Sequence, residues 1–486
     1  MALDFRSFFY NLPEVKHPTE KKLGFKVKLK WTLIILLSFF ILANVPLYGI
    51  SANSLERFEY LAIILGTEFG SVISLGIGPI VMASIILQLL VGSKILAIDT
   101  STVEGKKYYQ GLQKIGVIFF IIFEAMVYVL MGGLQAVQGF TGIVIFQLML
   151  GGLAIMFMDE VTTKWGIGSG TSLFIVAGVA WRLVAGLIQF INQTGQNCLI
   201  DFGNTPCAGK ILVILQSIIN GAPREALFSI VVIVVTIGIF LLVVWAQSLK
   251  VEIPLVYERL RGYSVKWPMQ FFYASVIPVI LVAALVANIQ LFGGLFNNAA
   301  SECQSVIENG GKIEDCSGGQ KLAMKMSWLG EFRNGVPVSG LSYWLGSSNV
   351  IELAIKGSLQ WKEGLQAITH SIFFMLFSAV FAVLWVKTSG MDESSQAKKI
   401  LSSGLQIPGF RKDERVLEAI LKRYILPLTI MGGLAVGLLS SAADLLGALT
   451  SGTAILLAVM ITYQLYQNIA QQHAVDMHPA LKKIIS

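Results

Sequence analysis

Apolar residues run through this chain in continuous blocks separated by polar stretches that carry most of the lysine and arginine. The blocks hold about 20 residues each, the length a helix needs to cross ~30 Å of hydrocarbon. They predict nine clear spans and an interrupted one, near 31–50, 75–92, 115–134, 140–158, 170–191, 225–247, 270–290, 366–386, 424–441 and 448–468. Barrel strands alternate over about ten residues, whereas these runs are unbroken, so helices are predicted throughout. The first run begins only after a long basic stretch and shows no small-residue cleavage pattern, so no cleavable signal peptide is expected.

Three regions depart from plain spans. Between Leu55 and Thr67 the chain is weakly apolar, too short to cross, and carries or adjoins Glu56, Arg57, Glu59 and Glu68. Gly76-Ile77-Gly78-Pro79-Ile80-Val81 then opens a clean apolar helix, and proline is tolerated in a helix's first turn. The pattern suggests a re-entrant segment followed by a helix that starts within the membrane; an ordinary outer loop with a surface helix is the other possibility. Irregular backbone at that depth is tolerated only inside protein or beside water, which makes this the best pointer to a pore or site. The second departure, 248–269, shows partial alternation, β-branched residues and the turn pair Arg261-Gly262, and predicts a hairpin. The third is a polar arm at 388–415 that ends in Ile407-Pro408-Gly409-Phe410-Arg411-Lys412.

Composition supports the same class. Of 486 residues 55% are hydrophobic and 13% charged, against about 25% charged in soluble domains. Mean hydropathy is +0.71. With the N-terminus placed inside, the inner segments 1–30, 93–114, 159–169, 248–269, 387–423 and the tail hold 26 of the 36 basic residues. Six of the ten outer ones fall in the long loop 291–365. Ten spans return the C-terminus, with Lys482 and Lys483, to the inside. The net charge of +7 is therefore expected on the inner face, where it suits anionic headgroups or a nucleic-acid surface. Residues 1–30, with Phe5, Phe8, Phe9, Leu12 and several lysines, suggest an amphipathic surface helix.

Candidate chemistry is sparse. Cys198, Cys207, Cys303 and Cys316 all fall outside under this topology, and pairing is expected there. Four cysteines permit three connectivities; Cys198–Cys207 and Cys303–Cys316 are preferred because each closes a short local loop. No histidine lies near either pair, so no metal site is expected. Glu124 is the only clear mid-span carboxylate and Asn288 the notable mid-span amide, while Arg182 can snorkel from a span end. His17, His370, His473 and His478 form no metal or catalytic constellation, and no GxxxxGK[ST] loop is present. An enzyme is not expected, and neither is a cofactor.

Several segments together resemble SecY and the alpha subunit of the eukaryotic Sec translocon over essentially the whole chain. They are Leu75-Gly76-Ile77-Gly78-Pro79-Ile80-Val81 with Ser84-Ile85-Ile86-Leu87-Gln88-Leu89-Leu90; Gly168-Ser169-Gly170; and Ile277-Pro278-Val279-Ile280 through Ala287-Asn288-Ile289. Arg261-Gly262 and Ser451-Gly452-Thr453 complete the set. The wording of the first resembles archaeal members most.

The resemblance implies an all-α polytopic membrane protein with ten transmembrane helices in two pseudo-symmetric five-helix halves around a central pore. Those halves would be 31–191 and 225–468, hinged through an external loop 192–224, with cytoplasmic segments 1–30 and 469–486. It implies a protein-conducting channel in the cell membrane, with both termini cytoplasmic, that passes unfolded polypeptides and releases apolar segments sideways into lipid. The segment 55–67 would be the plug. By motif position, Ile77, Val81, Thr171, Ile175, Ile280 and Leu457 would form an apolar constriction, Thr171 departing from the aliphatic residue usual there. Glu124 and Asn288 would line the lateral gate, and Arg259, Arg261, Arg411 and Lys412 would contact the ribosome. SecE-like and SecG/Secβ-like subunits, signal sequences and membrane lipid are the other implied partners. A secondary transporter also offers ten spans and half-helices, but the missing coupling-ion residues and the basic arms oppose it. A scaffold without a pore is opposed by the interrupted segment.

Overall fold

The computed structural model describes residues 12–19, 23–53, 70–92, 95–98, 102–130, 134–190, 197–199, 207–257, 264–274, 277–308, 324–333, 336–406 and 413–477. The long elements in chain order are α1 (Phe25–Ala43), β1 (Ile50–Asn53), α2 (Gly78–Gly92), α3 (Val103–Leu130), β2 (Leu134–Ala136), α4 (Thr141–Trp165) and α5 (Gly170–Ile188). They continue with α6 (Lys210–Ile219), α7 (Pro223–Ser248), β3 (Lys250–Tyr257), β4 (Ser264–Gln270), α8 (Ile277–Glu308), β5 (Glu331–Arg333) and β6 (Val336–Ser339). The remainder are α9 (Gly340–Leu345), α10 (Val350–Lys356), α11 (Trp361–Thr388), α12 (Glu393–Ser402), β7 (Leu405–Gln406), α13 (Glu414–Leu445) and α14 (Gly452–Met477).

Each of the ten expected spans falls on a helix. Seven are apolar and long enough to cross a bilayer over their own length, within α3, α4, α5, α7, α11, α13 and α14. The apolar stretches of α2 and α8 are shorter, and α1 begins with Lys26, Lys28 and Lys30 ahead of its apolar run. Helix α7 shows the inverted pattern of a lipid-facing element. Leu227, Ile230, Val234, Ile237, Leu241 and Trp245 point outward, while Ser229, Val232, Thr236 and Val243 are buried. An apolar outer stripe over small and hydroxylated inner residues is what association inside lipid favours.

Packing divides the chain into two units, Met1–Val179 with Ala458–Ser486, and Ala180–Leu457. In the first, most of the segment ahead of α2 is buried. Ile73, Ser74, Leu75 and Ile77 are almost fully buried, and Gly76 takes a positive φ of 56°. Burying this much irregular backbone requires its polar groups to be paired. Val72 N donates to Val45 O at 2.9 Å, Gly76 N to Ile73 O at 2.8 Å, and Gly70 N to Ser74 Oγ at 2.9 Å. Space comes from Gly151 and Gly152 of α4. A Cβ on Gly151 would run into the Val72 carbonyl, and one on Gly152 would meet Ile121 Cγ2 at 2.9 Å.

Residues 12–19, inside the stretch expected to form a surface helix, are not helical. Pro13 and Pro18 remove donors, and a proline disfavours helical geometry in the residue before it. The strap is held by tertiary bonds instead. Lys114 donates to Pro13 O, Lys164 to Val15 O at 2.6 Å, and Trp165 Nε1 to Lys16 O at 3.0 Å.

The second unit is built on α11 and α13. Gly433 and Gly437 let the two backbones approach: a Cβ on Gly433 would meet Ala379 Cα at 2.8 Å, and one on Gly437 would meet Phe374 O at 2.5 Å. The expected hairpin is present as β3 and β4, paired from Lys250↔Gln270 to Val256↔Ser264. The arm 388–415 contains α12 and β7, and β7 adds to the same sheet, giving the order β4-β3-β7. Ile253, Leu255 and Met269 of the hairpin share a core with Ile400 of α12 and with Leu417 and Leu421 of α13. The connection 192–224, expected as a loop, contains the short helix α6. Ten residues cannot span a bilayer, and α6 lies against α7. Cys198 and Cys207 are bonded, with Cα atoms 5.4 Å apart, and pack on Leu212. This is one of the two preferred pairs; the Cys303 side chain and Cys316 lie outside the described residues.

Candidate functional site

Of the six expected constriction residues, Ile77, Val81, Thr171 and Ile175 belong to the first unit, and Ile280 and Leu457 to the second. Ile77 closes the buried turn, and its carbonyl accepts from Val81 N at 3.0 Å, the first hydrogen-bonded turn of α2. Thr171 and Ile175 stand one turn apart on α5, so they share a face. Ile175 is buried and Thr171 half-buried, its hydroxyl 2.5 Å from Ser169 Oγ. That bond gives the threonine's polar atom a local partner. Ile280 is half-buried, one residue beyond the fully buried Val279 of α8. Leu457 is buried in the second turn of α14.

Glu124 lies half-buried on α3, between the buried Ile121 and Ala125 on one side and the exposed Phe123 on the other. Asn288 is on α8, its side chain outside the described residues, as are Arg259, Arg261, Arg411, Lys412 and the expected plug segment 55–67. The strands that lead into the two basic connections are described. Val256 pairs with Gln406 and Tyr257 with Leu405, so both connections leave from one ladder. The two arms share one sheet.

Two carboxylates went unmarked in the sequence. Asp159, near the end of α4, accepts from Thr171 N at 2.8 Å at the start of α5. Asp444, near the end of α13, accepts from Gly452 N at 2.7 Å at the start of α14. Both helices open with Ser-Gly-Thr, at 169–171 and 451–453, and that repeat was the available signal. The glycines are required by contact. A Cβ on Gly170 would lie 2.6 Å from Asp159 Cα, and one on Gly452 2.6 Å from Ala443 Cβ.

The surroundings of the two carboxylates differ. Glu160, next to Asp159, is paired with Lys114 at 3.0 Å and Lys164 at 3.0 Å. Lys164 also pairs with Glu14 of the strap. The hydrogen bond from Lys164 holds the Glu14 carboxyl below its ordinary range, partial burial opposing it. Asp444 instead faces His370, whose Nε2 makes no hydrogen bond and lies 3.9 Å from Asp444 Oδ2. The other ring nitrogen, Nδ1, is 2.7 Å from Leu345 O.

The SecY family profile matches residues 71–466, and that of the plug domain of Sec61p matches 38–70. The chain belongs to the SecY family. A relative in Methanothermobacter thermautotrophicus, the protein translocase subunit SecY, is 40% identical, over 99% of this chain and 98% of its own. Among solved structures, one described as the structure of a protein conducting channel is 36% identical and superposes with a TM-score of 0.75, over 97% of this chain and 98% of that one. Sec61 in the canine ribosome-channel complex from the endoplasmic reticulum is also 36% identical, with a TM-score of 0.72 over 97% and 98%. A ten-helix, multi-pass membrane architecture follows for this chain.

Proposed function

We propose that this chain is the pore-forming subunit of a SecY-type protein-conducting channel, passing unfolded polypeptides across the membrane and releasing apolar segments sideways into lipid. One observation carries the pore assignment: α2 starts from a largely buried, hydrogen-bonded turn, 70–77, that places Ile77 at its end. Irregular backbone at membrane depth is tolerated only inside protein or beside a water-filled cavity, and in this proposal the turn forms part of the channel wall. Ile77, Val81, Thr171, Ile175, Ile280 and Leu457 form the constriction in this proposal. A ring of branched aliphatics excludes ions by dewetting and offers a passing chain no preferred hydrogen-bond partner.

The lateral gate is assigned to Glu124 and Asn288. A segment of about 20 apolar residues gains free energy by leaving through it, and a polar chain does not. The channel is passive and not an enzyme. Its motor docks on the cytoplasmic arms, both termini facing that side. The relative named in a ribosome-channel complex points to a ribosome as one such motor. Arg259, Arg261, Arg411 and Lys412, flanking one shared sheet, are the expected phosphate contacts, with salt-sensitive binding. SecE-like and SecG/Secβ-like small subunits complete the assembly. The test is site-specific photocross-linking from Ile77 or Ile280 to a stalled secretory nascent chain. Adducts that require an intact signal sequence are expected. Their absence with ribosomes bound and the protein folded overturns the channel.

A further inference from the structure

Helix caps are usually local. Asp392 accepts from Ser395 N and Asp413 from Arg415 N, each reaching two or three residues along its own chain. Asp159 and Asp444 are different. They reach twelve and eight residues forward, from the end of one span to the start of the next. Each bond therefore ties two membrane helices to each other.

We propose that Asp159 and Asp444 are a matched pair of positioning residues, one in each unit, that set the height and rotation at which α5 and α14 present Thr171, Ile175 and Leu457 to the constriction. The proposal rests on the pore assignment above. Four observations support it. The acceptor is a carboxylate, and a negative charge at a helix N-terminus is favoured by the aligned peptide dipoles. The bonded donor is the backbone of the first turn itself, at Thr171 in α5 and Gly452 in α14. The glycine at each start has no room for a side chain, so the two helices meet at backbone distance and a loosened tie shifts the turn. Finally, Ile175 follows Thr171 by one turn and Leu457 follows Gly452 by five residues. On a stiff helix, displacement of the first turn is passed directly to both.

The hydroxyls repeat the arrangement with different partners. In α5, Thr171 Oγ1 is 2.5 Å from Ser169 Oγ. In α14, Ser440 Oγ of the preceding span donates to Thr453 Oγ1 at 3.2 Å. At the first start both backbone ties, from Thr171 and Gly170, end on Asp159 itself, whereas at the second the Ser440–Thr453 bond does not involve the carboxylate, so loss of Asp159 is expected to loosen its helix more than loss of Asp444.

The test measures iodide leak from liposomes holding the full chain with its co-purifying subunits and no substrate. Asp159→Ala is expected to raise the resting leak about tenfold, and Asp444→Ala somewhat less. Asp159→Asn keeps an oxygen acceptor and is expected near the parent. Asp392→Ala removes an ordinary cap, lowers the melting temperature and leaves the leak unchanged. Ile175→Ser is the ring control. A leaky Ile175→Ser beside tight alanine variants overturns the positioning role and leaves the ring standing. A tight Ile175→Ser overturns the ring and the proposal with it. Should either alanine variant not be recovered folded, Asp159→Glu and Asp444→Glu decide, since one added methylene displaces the helix start: leak supports the proposal, and tightness overturns it.

Discussion

The starts of α5 and α14 use the same three residues, Ser-Gly-Thr, and the same device, a carboxylate from the preceding helix. They differ in what stands behind the carboxylate. Asp159 adjoins a charged network of Glu160, Lys114 and Lys164 that reaches the N-terminal strap. Asp444 faces a single buried histidine on α11. The comparison teaches that a local motif fixes how a helix begins, while its neighbours fix what the beginning responds to.

The sharpest way to break the similarity is to fill the glycines. Gly170→Val and Gly452→Val each force a side chain into the preceding helix, at Asp159 and Ala443. Each is expected to cost about 3 kcal/mol or more and to abolish recovery of monodisperse protein in detergent. An equal yield from one variant and the parent would show that its start is not closely packed. Next, His370→Leu acts on the second start alone. It leaves the Leu345 carbonyl without its ring partner, in a buried site, and costs about 1–3 kcal/mol by thermal melting. The leak through α5 variants should be indifferent to it.

Lys164→Met acts on the first start's surroundings. It removes the ties to Glu14 and Val15 O, while Glu160 keeps Lys114. The cost is at most about 1 kcal/mol, because the strap side of the pair is half exposed. Faster hydrogen exchange across 12–19 is the readout. The smallest effect is the pH dependence of the same strap. The Glu14 carboxyl is held below its ordinary value of 4.5, first by the hydrogen bond from Lys164. A depressed carboxyl contributes its stability fully above 4.5 and loses it as pH falls through the lowered value. Exchange across 12–19, divided by its intrinsic rate at each pH, should therefore be flat from neutral pH down to that range and rise below it. Glu14→Gln should remove the rise.

Much of this was legible in the chain. The ten apolar runs marked ten helices, because a span of lipid can be met only by a continuous apolar stretch whose backbone bonds stay within it. Gly76 through Val81 marked the buried turn and the start of α2, because glycine and proline write local backbone geometry into the sequence. The β3–β4 hairpin and the Cys198–Cys207 bridge followed from short separations, where few alternative pairings exist. Within the stretch 1–30, expected as a surface helix, residues 12–19 are not helical, because prolines and bonds to distant lysines outweigh composition there, while Phe5, Phe8 and Phe9 lie outside the described residues.

What the sequence by itself determined, then, was class, spans and local turns, since these depend on residues a few positions apart. The tertiary structure alone decided that Asp159 and Asp444 each hold the next helix, that β7 joins the hairpin across about 150 residues of chain, and that Gly151, Gly433 and Gly437 are contact points instead of breaks. Each of these is a pairing between distant segments. An aspartate looks the same in sequence whether it faces water or a helix start, and only packing brings the donor to it.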